Sequence, residues 1–142
     1  MPTNTDPQTA DHLLRDPLVR ALLHELMSKL SALAQSGDSS HIDLRRIPLP
    51  AGALEALRAW LGGGEIEASV KALGLTKITE TGVGGVWWVT HAKLNGETIT
   101  EHLEVALSPA LLGTDNRELP AALTVLKERI ASLEGTGSTD PR

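Results

Sequence analysis

Cysteine, phenylalanine and tyrosine are all absent from this sequence of 142 residues. Without cysteine the chain has no disulfide, no thiolate metal ligand and no cysteine nucleophile, and its composition fits a reducing compartment. Three tryptophans are the whole aromatic content, so the core has to be built from Leu, Ile, Val and Ala. Each tryptophan is therefore expected to make a large and specific contact.

Basic residues are in the minority, and long apolar runs are missing. Lys and Arg number 13 against 18 Asp and Glu, which gives a net charge of -5 and disfavours nucleic acid, because phosphate binding depends on Lys and Arg. No stretch approaches the roughly 18 apolar residues of a membrane span, and the first residues do not follow the pattern of a signal peptide. We therefore expect a cytoplasmic protein that binds no nucleic acid and has no membrane span.

What remains is the composition of an ordinary globular domain, with 41% hydrophobic and 22% charged residues. We predict a single α+β domain over residues 16–134, with disordered tails at residues 1–15 and 135–142. The first tail is polar and contains prolines, so it buries too little apolar surface to become ordered.

Helical periodicity marks three segments. Asp16 and Pro17 form an N-cap and first-turn pair, and the leucines that follow predict a helix ending near Gly37. A shorter helix has Leu54, Leu57, Trp60 and Leu61 on one face and ends at the glycines 62–64. The last helix is predicted from about Glu118 to Leu133. The leucine-rich first helix is expected to cover the sheet, with contact to a second copy as the alternative.

Between the second and third helices the period changes to two, which predicts an antiparallel meander of about four strands, with the C-terminal helix packed on one sheet face. Asn95-Gly96 favours a type I′ hairpin turn. That turn would place Trp88 opposite Leu103 and Trp87 opposite Glu104. The glycines at 82, 84 and 85 indicate a sharp corner between strands rather than a phosphate loop.

This register divides the hairpin into two faces. The predicted core face contains Val86, Trp88, Ala92, Leu94, Ile99, Leu103 and Val105, with Thr90 and Glu101 as its polar members. The other face contains Trp87, Val89, His91, Lys93, Thr98, Thr100, His102 and Glu104. An exposed tryptophan among polar side chains is typical of a protein-binding hot spot, although a helix could also cover Trp87. We predict protein binding through Trp87, Val89, His91, His102 and Glu104.

Two other kinds of site are considered for this face. His91, His102 and Glu104 could form the minimum of a metal site in a small metal or ligand carrier. Diagonal strand neighbours lie about 7 to 8 Å apart, however, which disfavours shared coordination. Nucleophilic catalysis is disfavoured because no Ser or Thr stands in a nucleophile elbow. We expect neither an enzyme nor a bound cofactor, and a purely structural oligomer remains a further alternative.

Two stretches carry a resemblance to a known family. IDLRRIPLPAGALEALRAWLGGGEIEASV and GVWWVTHAKLNGETITEHLEVALSP together resemble the C-terminal conserved region of the HupH-type hydrogenase expression/formation proteins. The resemblance covers roughly Ile42 to Leu112, and the short chain is similar to the single-domain HupJ-like members. The matching motif positions are Trp87, Trp88, His91, Glu101 and Glu104. Trp88 and Glu101 fall on the predicted core face, so they are expected to serve the fold.

The resemblance implies an accessory role in [NiFe] hydrogenase maturation without enzymatic activity. The implied partners are the precursor of the iron-sulfur small subunit or other hydrogenase maturation proteins. A chain without cysteine cannot hold an iron-sulfur cluster in the usual way, so help given to such a subunit would act through protein contact.

Overall fold

The computed structural model describes residues 6–139, with side chains up to Gly135. Four α-helices and one antiparallel sheet of five strands form this part of the chain, which confirms the α+β class. The chain divides into two compact units, the first ending at Ala110 and the second beginning at Leu111. The domain limits expected at residues 16 and 134 stay a prediction, because compactness alone does not show independent folding.

Helix α1 (Pro7–Leu14) lies in a stretch predicted to be disordered, and that prediction is wrong for these residues. The Asp6 carboxylate accepts the backbone N–H of Gln8, and Pro7 starts the helix. Helix α1 packs against α3 (Ala53–Leu61), and although none of its residues is fully buried, Leu13 and Leu14 are half-buried. Residues 1–5 of the predicted tail lie outside the described residues.

Helix α2 (Pro17–Ser36) has the bounds that its capping residues predict. Asp16 accepts the N–H of Leu18 at 2.9 Å, and Gly37 ends the helix with a left-handed φ of 74°. Four side chains of this helix are buried, namely Val19, Leu22, Leu26 and Leu33. Three of them join the cluster formed with the sheet, so the predicted covering role is confirmed.

Helix α3 buries Ala53, Ala56, Leu57 and Leu61. Trp60 was expected on the same buried face, but 59% of its surface is exposed. Trp60 lies on the side of α3 that the helical spacing predicts. The space between α2 and the last turn of α3 is an open groove rather than filled core, and this groove leaves the indole accessible.

The strands are β1 (Ser40–Asp43), β2 (Gly63–Lys71), β3 (Leu75–Thr81), β4 (Val86–Ala92) and β5 (Thr98–Val105), and their order in the sheet is β1-β5-β4-β3-β2. Strands β2 to β5 form the predicted meander. The remaining strand, β1, comes from a segment predicted to be a connector and pairs with β5, where Ile42 stands opposite Leu103. The expected number of about four strands is thus corrected to five.

The main core lies between one face of the sheet and helices α2 and α3. Val86, Leu103 and Val105 are fully buried and Trp88 is 2% exposed, which confirms their predicted placement. A smaller cluster on the opposite sheet face contains Ile78, Trp87 and Val89.

The turn between β4 and β5 has three residues rather than the predicted two. The carbonyl of Lys93 accepts the N–H of Gly96, and the N–H of Lys93 donates to the carbonyl of Glu97. Gly96 has a φ of 89° and is the turn residue with positive φ, as in a hairpin loop of three residues that ends in a bulge. The predicted type I′ turn is therefore wrong.

A shift in register next to the turn compensates for its extra residue. The shift lies between His91 and Ala92, and beyond it Trp87 stands opposite Glu104 and Trp88 opposite Leu103, as predicted. Leu94 at the tip of the turn is 91% exposed, and Ile99 at the irregular pairing is 42% exposed. Their predicted core placement is wrong because the turn and the bulge direct them to solvent.

The second unit contains α4 (Leu119–Thr139), which a short 3-10 helix (Asn116–Glu118) precedes. Every side chain of α4 from Leu119 to Gly135 is exposed. The packing of this helix on a sheet face stays a prediction. Residues 135–139 are helical rather than part of a loose tail, and residues 140–142 lie outside the described residues.

Among the described helices, none combines the length and apolar character needed to cross a membrane. The cytoplasmic location stays a prediction.

Candidate protein-binding surfaces

Trp87, the predicted exposed anchor, is buried. Only 5% of its surface is accessible, and its indole Nε1–H donates to the carbonyl of Ala106 at 3.0 Å. Ile78 on β3 and Val89 on β4 share its cluster, and Val89 is itself 2% exposed. The prediction of an exposed hot spot at Trp87 and Val89 is therefore corrected, since neighbouring strands and the segment after β5 enclose these two side chains.

Trp88 belongs to the main core and is held by two polar partners. Its indole Nε1–H donates to Glu101 Oε2 at 2.8 Å, and the guanidinium carbon of Arg58 lies 5.3 Å from its ring centre. The second contact is a cation–π interaction that joins α3 to the sheet. Trp88 and Glu101 are thus bonded to each other, and their purely structural role stays a prediction. The part played by Arg58 has no signature in the sequence pattern.

His91 and Glu104 also have partners within the first unit. His91 Nδ1 and Thr76 Oγ1 form a hydrogen bond of 2.7 Å between β4 and β3. Glu104 Oε2 accepts the backbone N–H of Ala110 at 2.9 Å. The paired residues Trp87 and Glu104 therefore hold the two ends of the segment that follows β5. All of the motif positions carried by the family resemblance make contacts that organise the fold.

One accessible hollow lies along β1 and β5 and is lined mostly by residues with polar or charged side chains. It encloses about 550 Å³, and we call it the polar hollow. Its lining residues are Ser39, Ser40, His41, Asp43, Thr100, Glu101, His102, Glu104 and Ala110. The rings of His41 and His102 meet edge to face with 5.9 Å between their centres, and His102 Nε2 lies 4.0 Å from Glu104 Oε1.

The pKa of His102 in the polar hollow lies below its ordinary value. Partial burial is the largest influence and lowers the pKa of His102. Glu104 opposes this effect, His41 adds to it, and Asp43 opposes it. Because the net shift of the pKa is downward, the neutral imidazole, with one donor and one acceptor, is favoured over the charged form.

The structure does not assemble the metal site considered from the sequence. Within the described residues, no group of three His, Asp or Glu side chains is placed to hold a metal ion. His91, one of the three candidates, lies outside the polar hollow that His102 and Glu104 line and is bonded to Thr76.

A second accessible hollow is apolar and lies between α2 and α3. It encloses about 300 Å³ and is called here the α2–α3 groove. It is lined by Leu23, His24, Leu26, Met27, Leu30, Trp60, Leu61 and Val83. Met27 is 63% exposed and Trp60 is 59% exposed, so two of the largest side chains at the groove face solvent.

Sequence reasoning missed this groove because its helical residues other than His24 follow the apolar periodicity that also marks the core. Met27 belongs to the leucine-rich stripe of α2, and Trp60 belongs to the apolar face of α3. Only the residue types distinguish Met27 and Trp60 from core positions. Met27 is unbranched and flexible among the branched leucines of α2, and Trp60 is a large indole across the groove on α3.

Comparison with known proteins decides the family. The model for the C-terminal conserved region of the HupH hydrogenase expression protein matches residues 19–133. The chain belongs to this family. The match is wider than the stretch from Ile42 to Leu112 that carries the resemblance, and it includes nearly all of α2 and most of α4. These two helices are thus part of the HupH C-terminal region.

Individual relatives agree with this assignment. The hydrogenase expression/formation protein HupQ of Azotobacter chroococcum mcd 1 is 35% identical over 111 residues, which is 78% of this chain and 37% of that protein. HoxQ of Azotobacter vinelandii, a hydrogenase expression/formation protein, is 38% identical over 96 residues, which is 68% of this chain and 33% of that protein. The matched region is thus about a third of each curated relative.

A solved structure has the same fold. The hydrogenase expression protein HupH from Thiobacillus denitrificans ATCC 25259 superimposes with a TM-score of 0.74 at 38% sequence identity. The alignment covers 80% of this chain and 94% of that chain.

Proposed function

We propose that this HupH-family chain is an accessory protein of [NiFe] hydrogenase maturation that acts by binding another protein rather than by catalysis. Its proposed partner is the precursor of the iron-sulfur small subunit, alone or with other maturation proteins. Support comes from its family and from relatives named as hydrogenase expression/formation proteins. The absence of cysteine from the sequence agrees with a role through protein contact rather than cluster ligation.

The observation that carries this proposal is the α2–α3 groove with Met27 and Trp60 beside it. Tryptophan is enriched among residues that dominate binding energy, and methionine suits surfaces that adapt to a partner. Leu23, Leu26 and Leu30 give the groove an apolar floor. We propose that an apolar segment of the small-subunit precursor occupies it, with the indole of Trp60 as the main anchor.

The accessible part of the predicted sheet surface is a second candidate for partner contact. His102 and Glu104 line the polar hollow, whereas Trp87 and Val89 are enclosed. A polar surface without a large exposed anchor contributes more to specificity than to affinity. It is therefore proposed as the weaker of the two surfaces.

The experiment is an affinity purification of the tagged protein from cells that express a [NiFe] hydrogenase operon, with partners quantified by mass spectrometry. We expect Trp60→Ala to lower recovery of the small-subunit precursor at least about tenfold, which is typical of a hot-spot residue. Leu94→Ala is the matched control, because Leu94 is a large apolar residue with 91% exposure that lies in the β4–β5 turn. The control should recover the wild-type amount.

Two results would contradict parts of this proposal. If Trp60→Ala leaves recovery of the precursor normal and His102→Ala abolishes it, the partner binds the polar hollow rather than the groove. Absence of every hydrogenase component from the wild-type purification would contradict the maturation role itself.

A further inference from the structure

Helix α4 carries an apolar stripe with the spacing of a coiled-coil seam. The stripe consists of Leu119, Leu123, Leu126, Ile130 and Leu133, which follow one another in alternate steps of four and three residues. Each of these side chains is between 47% and 75% exposed. A heptad seam of this kind is completed when a second helix inserts its own side chains between those of the first.

The residue types along the stripe select the kind of partner helix. In heptad notation, Leu119, Leu126 and Leu133 occupy the d positions, while Leu123 and Ile130 occupy the a positions. Leucine at d with a β-branched residue at a favours two parallel strands, and Ile130 fits this pattern whereas Leu123 does not. The core positions of α4 therefore suit a second copy of the same helix in parallel orientation.

Charges beside the seam agree with this orientation. Arg129 occupies a g position and Glu134 the e position of the following heptad. In a parallel pair these two positions face each other across the helices, so Arg129 of each copy lies beside Glu134 of the other. Two-fold symmetry repeats the opposite-charge pair on both sides of the seam. Lys127, at the preceding e position, faces Ala122 and meets no like charge.

We propose that two copies of this chain associate through α4 as a parallel two-stranded coiled coil. The seam extends over about two and a half heptads of a helix that has 21 residues. Coiled coils of this length bury few layers, so the dimer is expected to be reversible and to depend on protein concentration. This inference does not rest on the proposed function, since it uses α4 alone.

The test is sedimentation equilibrium of the full chain over a range of concentrations. We expect the wild-type mass to rise from 15.1 kDa toward twice that value as concentration increases. Leu126→Glu places a charge in the seam and should keep the protein at the monomer mass. Ala131→Glu is the matched control, because it adds the same charge at an exposed b position and should leave dimer formation unchanged.

Charge reversal tests the orientation and remains informative if Leu126→Glu perturbs the helix. Arg129→Glu alone and Glu134→Arg alone should each weaken the dimer by placing like charges together, and the double exchange should restore it. A monomer at every concentration, or a dimer indifferent to Leu126→Glu, would overturn the proposal. Insensitivity to both single charge reversals would overturn the parallel arrangement.

Discussion

At the scale of single residues, the three tryptophans divide into two that build the fold and one that faces solvent. Trp87 and Trp88 point to opposite sides of the sheet, and each donates its indole N–H to an acceptor within the first unit. Trp60 is largely exposed and lies at the groove. Substitution at these positions should therefore separate stability from binding.

Trp87→Phe is expected to lower the free energy of unfolding by about 2 to 4 kcal/mol. The change removes the only described side-chain donor to the buried carbonyl of Ala106 and leaves a void beside Ile78 and Val89. Trp60→Phe, the same substitution at an exposed site, should change the free energy of unfolding by no more than about 0.5 kcal/mol. Urea denaturation followed by circular dichroism measures both values, and equal losses would contradict the assigned role of Trp87.

At the scale of elements, two turns use glycine for different physical reasons. Gly96 has a φ of 89°, and a methyl group added there would meet open space. Gly74, between β2 and β3, has a φ of 135°, and a methyl group there would collide with the backbone carbonyl of Ala92. Gly96 is needed only because its φ is positive. Gly74 also has a positive φ, and in addition its lack of a side chain lets the turn approach the backbone of Ala92 closely.

Gly74→Ala should consequently destabilise the protein more than Gly96→Ala. The cost at Gly96 is the strain of a side chain at positive φ, about 1 to 2 kcal/mol. At Gly74 the carbonyl of Ala92 must also move, and we expect a total loss of about 3 kcal/mol or more. The comparison requires urea denaturation of the two variants and the wild type. A loss at Gly74 no larger than that at Gly96 would show that the strands accommodate the methyl group.

Local patterns predicted most of the elements, and contacts between distant parts of the chain account for the errors. Asp16-Pro17 marked the start of α2, and the equivalent pair Asp6-Pro7 carried the same information for α1. The side of the sheet that Trp87 occupies followed from strand pairing. Its burial did not, because that depends on Ala106 and on β3, which no local pattern connects to it. Strand β1 was missed for the same reason, since its pairing with β5 is distant in sequence.

At the scale of the whole molecule, the buried core belongs to the first unit. In the described part of the chain, the larger cluster of buried hydrophobic residues ends at Val105 and the smaller at Val89, so both end before the second unit begins at Leu111. The second unit presents α4 with exposed side chains. The first unit thus contains the buried core, and the second unit contains the helix through which we propose that the chain self-associates.

A chain that ends after Leu112 is expected to fold cooperatively with a free energy of unfolding within about 1 kcal/mol of that of the full chain. The reason is that it retains every member of both core clusters. A chain that ends after Gly96 lacks β5 and should not fold, which provides the control. Urea denaturation at a low protein concentration measures the difference. A much larger loss in the longer fragment would show that α4 stabilises the first unit.

The distribution of the tryptophans also gives the protein an optical property. Since no tyrosine is present, the fluorescence of the native chain comes from three indoles, of which Trp87 and Trp88 are shielded from water and Trp60 is not. An occupant of the α2–α3 groove would displace water from Trp60, move its emission toward the blue and protect it from iodide quenching. The two enclosed indoles would serve as an internal reference, so arrival of a partner could be followed without attaching a dye.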